Sequence, residues 1–213
     1  MVVHFYLVRH GQTKLNRLHR LQGITDSPLT KKGAAKAYKL GQRLSEIEFQ
    51  AVYASDLKRA QTSAEIIVAE NKKKKPQIYC EPDLRELSFG FYEEMKNRQM
   101  IPAVLKKAGP KKILKIIRGP KRVSKIVDMF RDTNDGIQVE SAAELNERIV
   151  RILTQSGMKY ENQEVNLLIV AHALILSIFI ENLDKDFHFL FLRNTHLSKV
   201  NYKEGKFSIV ERK

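Results

Sequence analysis

The sequence predicts an α/β protein, a three-layer sandwich in which helices flank a mainly parallel central sheet. Residues 2–8 and 167–171 are almost wholly apolar, which is typical of strands buried on both faces of a parallel sheet. Amphipathic segments with helical spacing alternate with these strands. A composition of 43% hydrophobic and 29% charged residues fits a globular chain. We therefore predict a single domain spanning residues 1–213.

The first half of the chain supplies two helices and two further strands. Thr30 is the expected N-cap of the first of these helices, and Ser55 or Asp56 is the expected cap of the second. The second helix has small and apolar residues at positions 60, 63, 64, 67 and 68, which match the helical repeat. Short strands are predicted at residues 51–54 and 78–80.

The second half begins with a segment, residues 95–134, that looks helical but is broken at Gly109-Pro110 and Gly119-Pro120. A helix from about Ser141, the strand at 167–171 and a helix at 173–182 follow. Glu204-Gly205 is the predicted turn of a closing hairpin. We interpret residues 95–136, approximately, as a basic helical cap inserted over the carboxyl edge of the sheet.

The positive charge is concentrated in that insertion. The net charge is +14, and eleven lysines and arginines, with no acidic residue, lie between residues 95 and 126. Nucleic acid or an anionic membrane is one interpretation of such a segment. A solvated surface, or a cover whose cations draw small anions toward a site, is the other. The segment lacks the regularly interleaved aromatic residues that stack on bases, which argues against nucleic acid.

The remaining composition limits the compartment. The lone Cys80 excludes an internal disulfide and a cysteine-based zinc cluster, and favours the cytoplasm. The N-terminus has no signal-peptide pattern. The longest apolar run, residues 167–180, is shorter than the roughly 20 residues that a bilayer span needs, so we expect no membrane association.

Candidate functional residues follow the predicted strand ends. Arg9 and His10 follow the first strand, and His172 follows the strand at 167–171. Arg59 and Glu86 follow the other two. The carboxyl ends of parallel strands share one edge, where two arginines and two histidines would bind a dianion and a carboxyl group would transfer a proton.

Each of these residues also has an ordinary structural interpretation. Arg59 could form a salt bridge with Asp56 on its own helix. Glu86 could pair with Arg85 or with a neighbouring lysine. His172 could be a hydrogen-bonded core histidine between its two alanines.

Six segments together resemble the histidine phosphatase superfamily, in its phosphoglycerate-mutase-like branch. They are LVRHGQTKLN, LQGITDSPLTKKGAAKAYKLGQRL, VYASDLKRAQTSAEII, LRELSFGFYEE, VESAAELNERI and LIVAHALIL, and the resemblance covers residues 2–95 and 137–201. It implies that His10 is a nucleophile that becomes phosphorylated, that Glu86 is the general acid and base, and that His172 acts with them. It also implies phosphoryl or substrate contacts for Arg9, Arg59, Asn16, Gln22 and Gly23. It implies neither a metal nor another cofactor.

The sequence departs from the family pattern near the site. Ala173 stands where the family commonly has glycine, Tyr92 replaces a tryptophan, and Glu94 and Val139 each replace a glycine. These changes leave the chemistry in place but bear on the substrate contacts.

The segment RELSFGFYEE resembles the phosphatase form of the family, so a phosphatase acting on phosphate monoesters of small anionic metabolites is the first hypothesis. A cofactor-dependent phosphoglycerate mutase and a non-catalytic polyanion-binding protein are the alternatives. The expected partner is a small phosphorylated substrate, and a homodimer is left open. If the cap steers substrate, neutralising Lys111, Lys112 and Lys115 should raise KM for polyanionic esters more than for p-nitrophenyl phosphate.

Overall fold

A computed structural model describes residues 1–184, 187 and 192–212. Its centre is a six-stranded sheet in the order β3-β2-β4-β1-β5-β6. The strands are β1 (Val3–Arg9), β2 (Phe49–Ser55), β3 (Ile78–Glu81), β4 (Val165–Ala171), β5 (Leu197–Lys203) and β6 (Lys206–Arg212). The first four run parallel, whereas β5 is antiparallel to both β1 and β6. The mainly parallel α/β sheet predicted from the sequence is confirmed.

Helices cover both faces of this sheet. They are α1 (Lys14–Arg17), α2 (Lys31–Arg43), α3 (Lys58–Ala69), α4 (Asn97–Ala108), α5 (Pro110–Arg118), α6 (Arg122–Thr133), α7 (Ala142–Lys159) and α8 (Ala173–Leu183). Successive residues of β1 alternate between two cores, because side chains point to opposite faces of a strand. Phe5 and Leu7 pack in the core with α7 and α8, whereas Tyr6 and Val8 pack in the core with α2 and α3. The result is the predicted three-layer arrangement.

The predicted N-caps of α2 and α7 form, whereas the predicted N-cap of α3 does not. The Thr30 hydroxyl accepts from the Gly33 N–H, and Ser141 forms a capping box with Glu144, so α2 and α7 begin where their caps predict. The prediction that Ser55 or Asp56 caps α3 is wrong. The N-cap is Leu57, which has no side-chain capping bond, and both carboxylate oxygens of Asp56 instead accept from Arg85.

The basic segment folds as the three helices α4, α5 and α6, separated at Gly109 and at Gly119-Pro120. Apolar side chains of α4 and α6 enter the core that α7 and α8 share. The start of α6 is fixed by a buried carboxylate, because Glu181 accepts from the backbone N–H groups of Val123 and Ser124. The segment is therefore packed into the domain.

The hairpin β5–β6 closes the sheet at the predicted turn. Glu204 and Gly205 both have positive φ, at 51° and 75°, which suits a two-residue hairpin turn. Within the described ranges, no helix combines the length and apolar character that a bilayer crossing requires.

Candidate active site

The carboxyl ends of β1 and β4 bring the two predicted site histidines together. The strands pair in parallel with Arg9 opposite Ala171, and the His10 N–H donates to the Ala171 carbonyl at 3.0 Å. His172 therefore lies beside His10, and their ring centroids are 5.1 Å apart with an interplanar angle of 59°. A single phosphorus-sized group can contact both rings at this separation.

His10 is almost fully buried, and one hydrogen bond fixes its tautomer. Its Nδ1 lies 2.8 Å from the carbonyl oxygen of Gly11, which can only accept, so Nδ1 carries the proton. The lone pair is left on Nε2. Burial lowers the pKa of His10 well below its usual 6.5, and the charges of Arg59 and Arg9 lower it further. The ring is thus held in its neutral, nucleophilic form.

The two predicted arginines approach the histidines from different elements. Arg59, on the first turn of α3, is buried and donates through Nη1 to Thr25 O and Asp26 Oδ1 and through Nη2 to Gly23 O. Arg9 is partly buried at the end of β1 and donates to Leu192 O. Burial lowers the pKa of Arg9 to about 10 and also lowers that of Arg59. The salt bridge to Asp56 considered for Arg59 does not form.

Four buried nitrogen atoms of this cluster have no hydrogen-bond partner among the described residues: Nε of Arg9, Nε of Arg59, and both ring nitrogens of His172. Unpaired buried polar atoms are costly, since each has lost its hydration without compensation. Burial and the Arg59 charge also lower the pKa of His172 well below its usual value. An anion among these groups would satisfy several of them at once.

Glu86 contributes the carboxyl group that the sequence predicted at this edge. It is buried, and its oxygens accept from the N–H groups of Leu174, Ile175 and Leu87 at 2.9, 3.2 and 3.1 Å. Burial raises the pKa of Glu86 above its usual 4.5, although these N–H donors and the arginines oppose the shift. The alternative pairing with Arg85 is excluded, because Arg85 is bound to Asp56.

Asn16, Gln22 and Gly23 organise the loop that holds Arg59. Gln22 accepts from the Thr13 hydroxyl at 2.6 Å and donates to Thr25 O, while Asn16 Nδ2 lies 3.4 Å from Gln22 Oε1. Gly23 presents its carbonyl to Arg59, and a Cβ at Gly23 would lie 2.1 Å from the Leu87 carbonyl oxygen. Only glycine allows this close approach.

A cavity of about 280 Å³ opens on part of this cluster. It is lined by Arg9, Asn16, His19, Arg20, Leu21, Gln22, Glu86, Phe89, Asn97, Ala173, Leu174 and Asn194. Four of the eight predicted site residues therefore line it. The others, His10, Gly23, Arg59 and His172, are not among its lining residues.

Sequence reasoning missed two residues that support the site. Asn194, from the turn before β5, donates to His10 O and to Asn16 Oδ1, both at 3.2 Å. Glu93 accepts from the N–H groups of Gly23, Ile24 and Thr25 and so fixes the loop under Arg59. Glu93 belongs to a segment quoted for the family resemblance and could have been chosen there, whereas nothing in the sequence distinguishes Asn194.

The family model described as the histidine phosphatase superfamily (branch 1) matches residues 5–213. The chain belongs to this superfamily. A Serratia proteamaculans protein named "Probable phosphoglycerate mutase GpmB" is 32% identical over 206 residues, which are 94% of this chain and 85% of that protein. An Erwinia tasmaniensis protein of the same name is 44% identical over 91 residues, covering 43% of this chain and only 41% of that protein.

Solved structures of the superfamily agree with the fold. A phosphoglycerate mutase from Bacillus anthracis superposes with a TM-score of 0.90 at 32% identity, covering 99% of this chain and 92% of that one. A phosphoserine phosphatase from Entamoeba histolytica superposes with a TM-score of 0.73 at 21% identity, covering 99% and 96%. The second likeness supports the fold alone.

The departures from the superfamily pattern can now be located. Ala173 is the first residue of α8 and lines the cavity, so its methyl group reduces the space there without disturbing the helix. Glu94 has a left-handed φ of 58°, a conformation that suits the glycine found in relatives. Among the described residues, no cluster of three or more His, Cys, Asp or Glu side chains is placed to hold a metal ion.

Proposed function

We propose that this protein is a phosphatase that hydrolyses phosphate monoesters through a phosphohistidine formed on His10. The observation that carries the proposal is the placement of the buried, neutral His10 ring 5.1 Å from His172, where the charges of Arg59 and Arg9 act on it. Glu86 adds a buried carboxyl group whose pKa is raised.

In the first step, the Nε2 lone pair of His10 attacks phosphorus and the bond from phosphorus to the ester oxygen breaks. Glu86 gives its proton to that oxygen, and the alcohol leaves. The imidazole now carries positive charge, which the Gly11 carbonyl stabilises through Nδ1–H. In the second step Glu86 takes a proton from water, the water oxygen bonds to phosphorus, the N–P bond breaks, and inorganic phosphate leaves. Both residues return to their starting forms.

The surrounding donors stabilise the charge on the transferring phosphoryl group. Arg9, Arg59 and His172 present nitrogen atoms that have no other partner among the residues that the structure describes, so they need not break hydrogen bonds seen there to bind the anion. A fixed donor of this kind is typically worth roughly 3 to 4 kcal/mol in a transition state.

Trapping the intermediate tests this proposal. Mixing the enzyme with a 32P-labelled ester and quenching in alkali, in which phosphohistidine survives, should leave label on the wild-type protein. His10→Ala should carry no label and release no phosphate. His4→Ala is the control, because His4 lies on β1, the strand that leads to His10, but contacts Asn201 outside the site. Label that persists in His10→Ala would overturn the proposed nucleophile.

A phosphoglycerate mutase is the second candidate, favoured by the names of relatives that match most of this chain. The two activities separate in one assay with 3-phosphoglycerate and a trace of bisphosphoglycerate. Release of inorganic phosphate without the 2-phospho isomer would exclude the mutase.

We place the enzyme in the cytoplasm, where a reducing environment would keep the exposed thiol of Cys80 free.

A further inference from the structure

A second cavity, of about 260 Å³, adjoins the first between helices α4 and α6. Its lining is Leu21, Phe89, Asn97, Met100, Ile101, Val104, Leu105, Ile126, Met129 and Phe130. Leu21, Phe89 and Asn97 also line the cavity that contains Arg9 and Glu86. The two cavities therefore adjoin each other along these three residues.

The lining of the second cavity is apolar, whereas the lining of the first includes charged side chains. None of its ten lining side chains is charged, and Asn97 is the one polar member. The charges of the basic segment lie elsewhere. Lys107 binds Asp135 and Lys112 binds Asp132, while Lys111 and Lys115 line a separate cavity with Lys125. A charged substrate group would lose its hydration here without gaining a partner.

We propose that this second cavity, the apolar subsite, holds the alcohol portion of the substrate. The enzyme then prefers phosphate monoesters of extended apolar alcohols over those of small polar or acidic alcohols. This rests on the proposed function, since it places the phosphoryl group at His10 and the ester oxygen near Glu86. The remaining route out of the first cavity, toward His19 and Arg20, would suit a carboxylate-bearing ester such as phosphoglycerate. The two routes predict different substrates.

A homologous series of esters tests the subsite directly. Ethyl, butyl and hexyl phosphate have leaving groups of nearly equal basicity, so their differences report binding of the chain. Each methylene that enters an apolar site should raise kcat/KM by about three- to fourfold. We expect hexyl phosphate to exceed ethyl phosphate, and 3-phosphoglycerate, by tenfold or more. Equal kcat/KM values across the series would overturn the inference.

A pair of matched variants locates the effect. Ile101 lines the subsite and Leu114, on α5, lines neither cavity, yet both are 48% exposed, so each tolerates a polar side chain. Ile101→Glu should lower kcat/KM for hexyl phosphate about tenfold and change that for ethyl phosphate less than twofold. Leu114→Glu should change neither. A cavity that only reflects loose packing would give the same small effect on both esters in both variants.

Binding without turnover separates this inference from the proposed function. If the wild-type protein releases no phosphate from any ester, the phosphatase proposal fails, and calorimetric titration still decides the subsite. Hexyl phosphate should bind the wild type at least tenfold more tightly than ethyl phosphate, and Ile101→Glu should abolish the difference. Equal affinities of the two esters for the wild type would overturn the subsite.

Discussion

At the scale of single residues, burial is the largest cause of two pKa shifts in the site, and they run in opposite directions. Taking an ionisable group out of water disfavours its charged form, so burial lowers the pKa of His10 and raises that of Glu86. The result is a histidine with a free lone pair beside a carboxyl group that retains its proton to higher pH. When the ester has a poor leaving group, phosphoryl transfer to a histidine requires a neutral histidine and a protonated carboxyl group at the same time.

Glu86→Gln should therefore lower kcat/KM most for esters whose leaving oxygen must be protonated as the bond breaks. We expect kcat/KM for ethyl phosphate to fall by about 10² to 10⁴. The value for p-nitrophenyl phosphate should fall much less, because nitrophenolate leaves without protonation. Steady-state kinetics with both esters check this. Equal losses for the two esters would show that Glu86 only supports the structure.

The pH dependence follows from the same two pKa shifts. The acid form of Glu86 is lost as pH rises through its raised pKa, so kcat/KM for ethyl phosphate should decline on the alkaline side. Because the pKa of His10 is lowered, protonation of the nucleophile should limit the reaction only well below pH 6.5. Glu86→Gln should remove the additional alkaline decline of ethyl relative to p-nitrophenyl phosphate. A ratio of the two esters that does not vary with pH in the wild type would contradict this assignment.

Glu94 provides a test of backbone strain at one residue. It is exposed and has a left-handed φ of 58°, which costs about 1 to 2 kcal/mol for a residue with a Cβ. Glycine removes that cost. It also gives the unfolded chain more conformational entropy, which lowers the free energy of unfolding by about 0.5 to 1 kcal/mol. Glu94→Gly should raise the free energy of unfolding by a few tenths to about 1 kcal/mol in urea denaturation. Glu94→Ala keeps the Cβ and should give no such gain.

At the scale of elements, α2 supports the turn after His10 by direct contact of two backbones. A Cβ on Gly33 would lie 2.1 Å from the Gln12 carbonyl oxygen, and a Cβ on Gly11 would lie 2.8 Å from the Gly33 carbonyl oxygen. The turn that follows His10 is therefore held against the first turn of a helix. A displacement of that helix would move His10, the proposed nucleophile.

Gly33→Ala tests this contact against helix propensity. Propensity alone would make alanine stabilising by about 1 kcal/mol, but the clash involves backbone atoms that cannot rotate away. We expect a loss of about 1 to 3 kcal/mol in the free energy of unfolding and a fall in kcat. Ala35→Gly, at an exposed position of the same helix, measures the propensity difference by itself. A stabilised Gly33→Ala with unchanged kcat would mean that the two backbones are free to separate.

Local signals predicted most elements because local contacts decide them. Thr30 and Ser141 cap their helices through bonds that span three residues. The expected cap at Asp56 failed because a distant residue, Arg85, takes its carboxylate. Proximity of the site groups was predictable in the same way, since strand ends of a parallel sheet meet at one edge. Asn194 was not predictable, because its bonds to His10 and Asn16 span more than 170 residues.

The apolar subsite shows a further limit of sequence reasoning. Spacing in the basic segment indicates amphipathic helices and therefore apolar faces. It does not say whether those faces close completely on each other or leave a space next to the site. That outcome depends on how α4 and α6 pack around Phe130 and Met100, which only the folded chain determines.

At the scale of the whole molecule, the surplus of 14 positive charges acts over longer distances than any contact in the site. At an ionic strength of 0.1 M the screening length is about 10 Å, so exposed lysines influence an approaching anion more than a bound one. Arg59 is buried and Arg9 is partly buried, so both should bind phosphate with less dependence on salt than exposed lysines. Added salt should therefore weaken the attraction of substrate to the exposed lysines more than its binding to the two arginines.

Two matched triple variants test whether the basic segment steers polyanionic esters. Lys111, Lys112 and Lys115 lie on α5, whereas Lys73, Lys74 and Lys75 lie before β3, at the opposite edge of the sheet from His10. Each set contains a lysine with an exposed ion pair, Lys112 with Asp132 and Lys73 with Glu46. Changing either set to glutamine removes three positive charges from the molecule.

If the basic segment draws polyanionic esters toward the site, the KM of the α5 variant for 2,3-bisphosphoglycerate should be about two- to fivefold higher than that of the wild type at low salt. Its KM for p-nitrophenyl phosphate should rise little. The control variant should change neither KM value appreciably, and 0.5 M salt should remove the difference. Equal increases in the two variants would show that net charge acts without a preferred location. Unchanged KM values in both would make the lysines of α5 a solvated surface.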